Sequence, residues 1–385
     1  MLPRPFSQAS SLMKIIVSSG YSAYIVGGAV RDYLLNHDIN DLDITTSALP
    51  TQIMELFPKV IPVGLEHGTV LVRHNKTSFE ITTYKDGATE IKEDLGKRDF
   101  TINAIAINLQ GDIIDFYNGQ EDLSNGLIKS VEDPTERFNE DPLRIIRGLR
   151  FSSQFGFTVE THTLSKMIEL KGKIKGVAIE RLNVEMSKFF QGQFLNNGLQ
   201  YLIDTELQTE LPIFDRYPNL IKKIPSNVTS FNNFTEVIAL LHILQPNIAI
   251  NDWIKSWKCS NDVKKDVNFL VKSVKYFTVN GLNNYLLYIL EFDLIDSFCF
   301  LVSHLYNDDF DREEIVNQKK KISIQKRSDM NISGYDIIEM FPSLNGGKWI
   351  EELIKEVENE IIFNRLNNNK NEIKEWIKCN PPETN

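Results

Sequence analysis

Apolar and polar positions follow two different rhythms along this chain, and the change falls near residue 130. Before it, short runs of β character read as strands: TVLVRH from Thr69, SFEITTY from Ser78 and AIAINL from Ala104. Asp-Gly and Gly-Asp turns punctuate them. Upstream, Tyr24, Ile25 and Val26 read as the end of a buried strand. Gly27 and Gly28 then let the chain turn tightly into a helix carrying Val30, Leu34 and Leu35. Beyond residue 130 the period is helical almost throughout. Ile179, Leu182, Met186, Phe189 and Phe190 share one face, as do Ile350, Leu353, Ile354, Val357 and Ile361. Such stripes predict packed cores, so the chain reads as a small α+β head followed by a long helical portion.

Candidate chemistry concentrates in the run VGGAVRDYLLNHDINDLDITTSALP. Side chains at i and i+2 of a strand project from one face, so Asp41 and Asp43, read as strand positions, present two carboxylates to one cation or a cation pair. Magnesium suits that donor set, completing its shell with water and substrate phosphates. The turn at Gly27 and Gly28 offers free backbone N–H groups at a helix start, where an anion is favoured, and Arg31 adds a guanidinium fork nearby. A lone Gly-Gly or a lone DxD is common in loops. In this order, GGAVRD and then DLDITTS, they point to metal-dependent nucleotidyl transfer.

A second constellation is NEDPLRIIRGLRF. Pro142 suits the first turn of a helix, with Asp141 or Glu140 near the cap, and Ile145, Ile146 and Leu149 bury one side. Arg144, Arg147 and Arg150 recur every three residues along another side. Either a salt-bridged surface stripe or a directed anion site has that spacing.

These motifs together resemble the class II tRNA nucleotidyltransferases, the bacterial group that includes CCA-adding enzymes and poly(A) polymerases. The likeness continues through FEITTYK around Glu80, KRDFTINAIAIN from Lys97, IIDFYNGQEDL from Ile113 and FNEDPLRIIRGLRFSSQFGF from Phe138. It is close in the first half and looser in the second. It implies a nucleotidyltransferase head with a small mixed sheet over 1–130, then an all-α neck carrying the nucleotide-selecting helix over 131–195, a body over 196–310 and a tRNA-binding tail over 311–385. It further implies Asp41 and Asp43 as catalytic metal ligands, Glu80 as a third carboxylate that orients or deprotonates the nucleophile, and Arg98 as a nucleotide contact. Asp141 and Arg144 would read the base edge while Arg147 and Arg150 hold the nucleotide. A carboxylate can accept from cytosine N4 while a guanidinium donates to N3 and O2, so CTP is selected over UTP without a nucleic-acid template.

The segment ITTYKDGATEIKE between Glu80 and Asp94 is shorter than the mobile loop of most CCA-adding relatives. By resemblance it matches the subtype that stops after two cytidines, so the expected reaction is CC addition to the tRNA 3′ end from CTP. Full CCA addition using CTP and ATP is the alternative, and poly(A) polymerase a second. A metal-dependent phosphohydrolase is the competing class, but the histidines form no second-domain His-Asp pair, His37-Asp38 lying in the connection to Asp41. A noncatalytic RNA-binding protein is opposed by the intact Asp41, Asp43 and Arg144.

Composition narrows the picture further. At 385 residues the chain calls for two or more domains or a multi-segment helical array. With 42% hydrophobic and 24% charged residues, no apolar run of membrane length and no signal-peptide pattern, a soluble cytoplasmic protein is expected, with no membrane and no protein partner implied. Cys259, Cys299 and Cys379 are too widely spaced for a CxxC metal or redox pair. The formal charge of −10 does not suggest a polyanion as ligand. Local strips can still bind phosphate, the candidates being Lys166, Lys171, Lys173 and Lys175, and then Lys319, Lys320, Lys321, Lys326 and Arg327. Each strip also reads as an ordinary solvated face.

Overall fold

The computed structural model describes residues 2–382 except 40, 66, 67 and 307–309, and the backbone alone at 86. The described chain divides into two compact units. The first holds residues 1–222 with 228–231 and 256–258, and the second holds 223–227, 232–255 and the remainder from 259.

The first unit is built on a seven-stranded mixed sheet. Its strands are β1 (Ala23–Val26), β2 (Asp43–Thr46), β3 (Val60–Gly64), β4 (Thr69–His74), β5 (Thr77–Thr83), β6 (Ile105–Ile107) and β7 (Ile113–Asp115), in the order β3-β4-β5-β2-β1-β6-β7. Only β2 and β5 run parallel, and their register sets Asp43 beside Glu80. Alternation decides the faces. Ile44, Val70, Val72, Phe79 and Ile81 point to a core they share with Leu12, Met13 and Ile16 of α1 (Ser10–Ser18), which leaves Asp43, Thr45 and Glu80 on the opposite face. The anticipated strands at Thr69, Ser78 and Ala104 are all present, whereas Asp41 precedes β2 and is not a strand residue.

Short helices join the strands: α2 (Gly28–Leu34), α3 (Pro50–Leu56), α4 (Ile91–Gly96) and α5 (Gly119–Ser124). Leu95 of α4 sits in a buried cluster with Val26, Ala104, Ala106 and Val131, against which Ile91 also packs. Five further helices complete the unit: α6 (Pro134–Glu140), α7 (Leu143–Phe155), α8 (Thr161–Leu170), α9 (Ile179–Phe190) and α10 (Leu195–Asp204). Ile145, Ile146 and Leu149 of α7 and Leu182, Met186, Phe189 and Phe190 of α9 are all buried, as their spacing predicts. One departure from the helical rhythm is a two-stranded parallel pairing of β8 (Leu127–Ile128) with β9 (Thr158–Val159).

The second unit is helical: α11 (Phe234–Leu244), α12 (Ile250–Ser256), α13 (Asn261–Asn280), α14 (Asn284–Ile289), α15 (Ile295–Tyr306), α16 (Arg312–Lys320), α17 (Gly334–Met340), α18 (Lys348–Ile362) and α19 (Lys370–Cys379). Leu353, Val357 and Ile361 of α18 form a core with Ile337, Ile373 and Ile377, and Ile350 and Ile354 pack at its edge. Glu358 ties this core to its surroundings, accepting from Tyr288 Oη (2.6 Å) and from Arg327 Nη2 (2.7 Å). Among the described residues no helix is long and apolar enough to cross a membrane.

Gly119 marks the tightest approach around the segment that carries Arg98 and Asp99. A Cβ there would lie 2.2 Å from the carbonyl oxygen of buried Thr101 and 2.7 Å from Cγ1 of Ile105, the first residue of β6. Gly119→Ala is therefore expected to destabilise the protein by about 1–3 kcal/mol through overpacking. A lowered urea midpoint would register it.

Candidate active site

A cleft of ≈1190 Å³ opens in the first unit, and its lining gathers residues separated by more than a hundred positions in sequence. Gly27, Gly28, Arg31, Asp41, Asp43, Arg98, Asp141, Arg144, Arg147 and Arg150 all line it. Of the sequence-derived site residues only Glu80 does not. It stands next to Asp43 across the parallel β2–β5 pairing, exposed on the same face of the sheet.

The glycine turn is needed for close approach. Gly27 has φ 70°, and a Cβ on it would sit 3.1 Å from Arg98 Nη1 and 3.9 Å from Asp43 Oδ2. Arg31 is buried. Its guanidinium donates to Asn103 Oδ1 (2.7 Å) and Asp32 Oδ1 (2.9 Å) and lies over the rings of Phe155 and Phe151.

Three carboxylates repel one another at the head of the cleft. Partial burial raises Asp43 above the ordinary aspartate range, with Arg98 opposing and Asp41 adding to the rise. Glu80 is raised in the same way, by partial burial and then by Asp43 and Asp41. Such uncompensated acid density is the chemistry a hard cation relieves. Among the described residues no group of three ligating side chains encloses a metal position. Asp41 and Asp43 thus offer an open pair, which suits an ion that keeps water and substrate oxygens in its shell.

The arginine stripe of α7 is neither a solvated face nor free. Arg144 donates to the Lys97 carbonyl oxygen (2.9 Å) and to Glu140 Oε2 (3.1 Å). Arg147 is held between Asp99 (Nε to Oδ2, 2.7 Å) and Glu185 (Nη1 to Oε1, 3.2 Å), and Arg150 Nε lies 2.6 Å from Glu185 Oε2. Although burial opposes it, Arg147 together with bonds from Asn103 and the Phe100 N–H holds Asp99 well below the usual carboxylate range. Burial pulls Arg150 down to about 10, which leaves it protonated at neutral pH. Asp141, expected with Arg144 at the base edge, accepts from Arg181 Nη2 at 2.7 Å.

The chain's homology bears on this arrangement. Residues 23–129 match the poly(A) polymerase head domain, 156–217 a probable RNA- and SrmB-binding site of polymerase A, and 229–377 a putative second domain of tRNA nucleotidyltransferases. A CCA-adding enzyme of Oceanobacillus iheyensis is 44% identical with all of both chains covered. The chain belongs to the class II tRNA nucleotidyltransferase family. A CCA-adding enzyme of Anoxybacillus flavithermus is 34% identical over 99% of this chain and 98% of its own. The crystal structure of the Bacillus stearothermophilus CCA-adding enzyme in complex with CTP superposes with a TM-score of 0.91 at 29% identity, covering 98% of each chain. The expected fold class, a mixed-sheet nucleotidyltransferase head followed by helices, is the one observed, and the chain is a nucleotidyltransferase.

Sequence reading of this family member missed Asp94, Arg181 and Glu185. Several members of the two basic strips, each read either as a phosphate site or as an ordinary face, already have partners. Lys166 pairs with Glu169, Lys171 with the Thr205 carbonyl and Glu206, and Lys175 with Glu210. Lys319 is buried and donates to the Leu287 and Tyr288 carbonyl oxygens at the end of α14, and Arg327 is spent on Glu358. Those members of the two strips are structural.

Asp99→Asn keeps the shape of the side chain and removes the charge that clamps Arg147. It is expected to cost about 3 kcal/mol near neutral pH. Because Asp99 is lowered in the folded state, its contribution is complete above the ordinary aspartate pKa of 3.8 and is lost as pH falls through the lowered value. Urea titrations of wild type and variant should therefore converge only below that range.

Proposed function

We propose that this nucleotidyltransferase builds the CCA end of tRNA, adding cytidine, cytidine and adenosine to the 3′ terminus from CTP and ATP without a nucleic-acid template. The observation that carries it is one cleft lined both by an acidic pair, Asp41 and Asp43, and by a ladder of base- and phosphate-directed groups on α7. CCA-adding enzymes at 44% and 34% identity over essentially the whole chain support full CCA addition over the narrower CC product expected from the sequence. The Bacillus stearothermophilus relative was crystallised with CTP.

In this reading Asp141 and Arg144 meet the Watson–Crick edge of the base, at the start of α7. Arg147 and Arg150, one and two turns further on, face the ribose and triphosphate, a spacing of about 5 Å per turn. Arg98 and the backbone at Gly27 and Gly28 take further phosphate oxygens. Arg98 Nε is buried with no hydrogen-bond partner among the described residues, as expected of a group completed by ligand. Asp41 and Asp43 fit magnesium, which when bound supplies charge neutralisation and lowers the pKa of the attacking hydroxyl. Glu80, its carboxyl raised by partial burial and then by its acidic neighbours, accepts the proton of the tRNA 3′-hydroxyl. That oxygen bonds to the α-phosphorus, the bond to the β-phosphate breaks, and pyrophosphate leaves. The all-helical tail at 311–385 is assigned to tRNA binding and the cytoplasm is the compartment of the reaction.

A second reading, addition of CC alone, draws on one specific feature. The connection from β5 to α4 is a single turn at Lys85–Gly87 followed by three residues. The alignment with the Oceanobacillus protein spans 400 positions against 385 residues here, so the relative fills about 15 positions that this chain leaves empty. A connection as short as the one at Lys85–Gly87 gives a lever that reshapes the pocket for ATP little reach.

Incubating the protein with magnesium, labelled CTP or ATP, and tRNA lacking its terminus or ending in CC separates these readings. ATP incorporation on the CC-ended tRNA is expected; cytidines alone would select CC addition, and long adenosine tails a poly(A) polymerase. Asp41→Ala and Asp43→Ala should each lower incorporation by on the order of 10³-fold. Arg144→Ala should relax CTP-over-UTP selection by roughly tenfold or more, one base contact of this kind being worth about 1–3 kcal/mol.

A further inference from the structure

Asp94 on α4 is fully buried, yet it is assigned no part in the reading above. Its carboxylate makes three hydrogen bonds, each to a different piece of the candidate active site. Oδ1 accepts from the backbone N–H of Lys85 (3.0 Å), the first residue of the turn after β5. Oδ2 accepts from Arg98 Nη2 (3.2 Å) and from Thr45 Oγ1 (3.3 Å), two residues beyond Asp43 on β2. Leu95, the next residue, is anchored in the cluster with Val26 and Ala106, so the carboxylate has a fixed base.

A buried carboxylate is costly unless every lone pair is used, and an apolar side chain of similar volume would hold α4 on the sheet at least as well. What an apolar side chain cannot do is fix a guanidinium. Arg98 points its Nη1 into the space left by Gly27 and leaves Nε without a protein partner. Its remaining freedom is set at Nη2, by Asp94.

We propose that Asp94 is a positioning residue for nucleotide binding: it holds the Arg98 guanidinium toward the triphosphate side of the cleft and ties the β5–α4 connection to it at Lys85, so that the two move as one. The proposal rests on the cleft taking a nucleoside triphosphate. Asp94 touches neither substrate nor reacting atoms in this scheme and acts through Arg98.

A double-mutant cycle on the full-length protein tests it. Asp94→Asn should raise KM for CTP about tenfold, the worth of a charge-assisted hydrogen bond, while kcat changes by less than about threefold. In an Arg98→Ala background the same substitution should add nothing, because the group it positions is gone. A KM effect of equal size in both backgrounds, or an unchanged KM in Asp94→Asn, overturns the proposal. Should Asp94→Asn fail to fold, Lys85→Pro removes only the bonded N–H beyond what Lys85→Ala removes, at a first-turn position whose geometry accepts proline. A higher KM for CTP in Lys85→Pro than in Lys85→Ala, absent without Arg98, supports the coupling, and equal KM values overturn it. If the wild-type chain incorporates no nucleotide at all, the functional reading falls and takes this proposal with it. If it does and the variants fail to separate, only the role of Asp94 falls.

Discussion

Guanidinium groups crowded into one cleft repel each other, and the site exists because each is tethered to a carboxylate. Arg31 is bound to Asp32, Arg98 to Asp94, Arg144 to Glu140, Arg147 to Asp99 and Glu185, Arg150 to Glu185, and Arg181 to Asp141. A tether of this kind neutralises part of the charge and removes rotamer freedom before any ligand arrives. Each arginine has five N–H donors, and the tethers use one or two. Further donors go to neighbouring protein groups, Arg31 to Asn103, Arg144 to the Lys97 carbonyl and Arg150 to Gln154, so each guanidinium is fixed in direction, which is what recognition of a triphosphate and a base edge demands.

Tethering also decides what breaks the site. Glu185 serves two arginines at once, and Asp99 is locked by Asn103 and a backbone N–H as well as by Arg147. Removing Glu185 leaves the buried Arg150 without its carboxylate, which costs more than the lost bond itself. The acidic pair at Asp41 and Asp43 is different in kind. Burial and Asp41 raise Asp43 against the opposing charges of Arg98 and Lys85. The cleft thus pairs a rigid, balanced wall with a small region deliberately left out of balance.

Period and order made much of this legible from the chain alone. The α7 arginines declare themselves at every third position beside buried Ile145, Ile146 and Leu149, and GGAVRD followed by DLD fixes where the acids belong. Their partners leave no such trace. Asp94 lies on a six-residue helix too short to show a period, and Glu185 sits among Met186 and Phe189 on α9, where a charged residue between apolar ones reads as solvent-facing. Arg181 meets Asp141 across 40 residues, a separation at which spacing carries no signal. The DxD pattern misled in one respect. Asp41 lies ahead of β2, so the two carboxylates are brought together by the turn into the strand and not by the strand's own alternation.

Whether one pocket can serve two bases turns on which parts are free to move. The β5–α4 connection is pinned at both ends: Thr83 Oγ1 donates to the Ala48 carbonyl (2.7 Å), the Tyr84 N–H to Thr46 (2.9 Å) and the Lys85 N–H to Asp94 (3.0 Å), while Thr89 N–H meets Glu93 (2.7 Å). A segment so held has little reach, and moving it would break several bonds together. Asp141, which lines the same cleft, is held more lightly. Asp141 is about one quarter exposed and its main partner, Arg181, is more than half exposed, so their contact is screened by solvent and weak by comparison with the buried clamp on Arg147. Adenine and cytosine both present an exocyclic amine beside a ring acceptor, and a shift of one carboxylate and one guanidinium would follow the change. The lightly held contact on the rim of this cleft is therefore that of Asp141 with Arg181, and the firmly held element is the connection behind it.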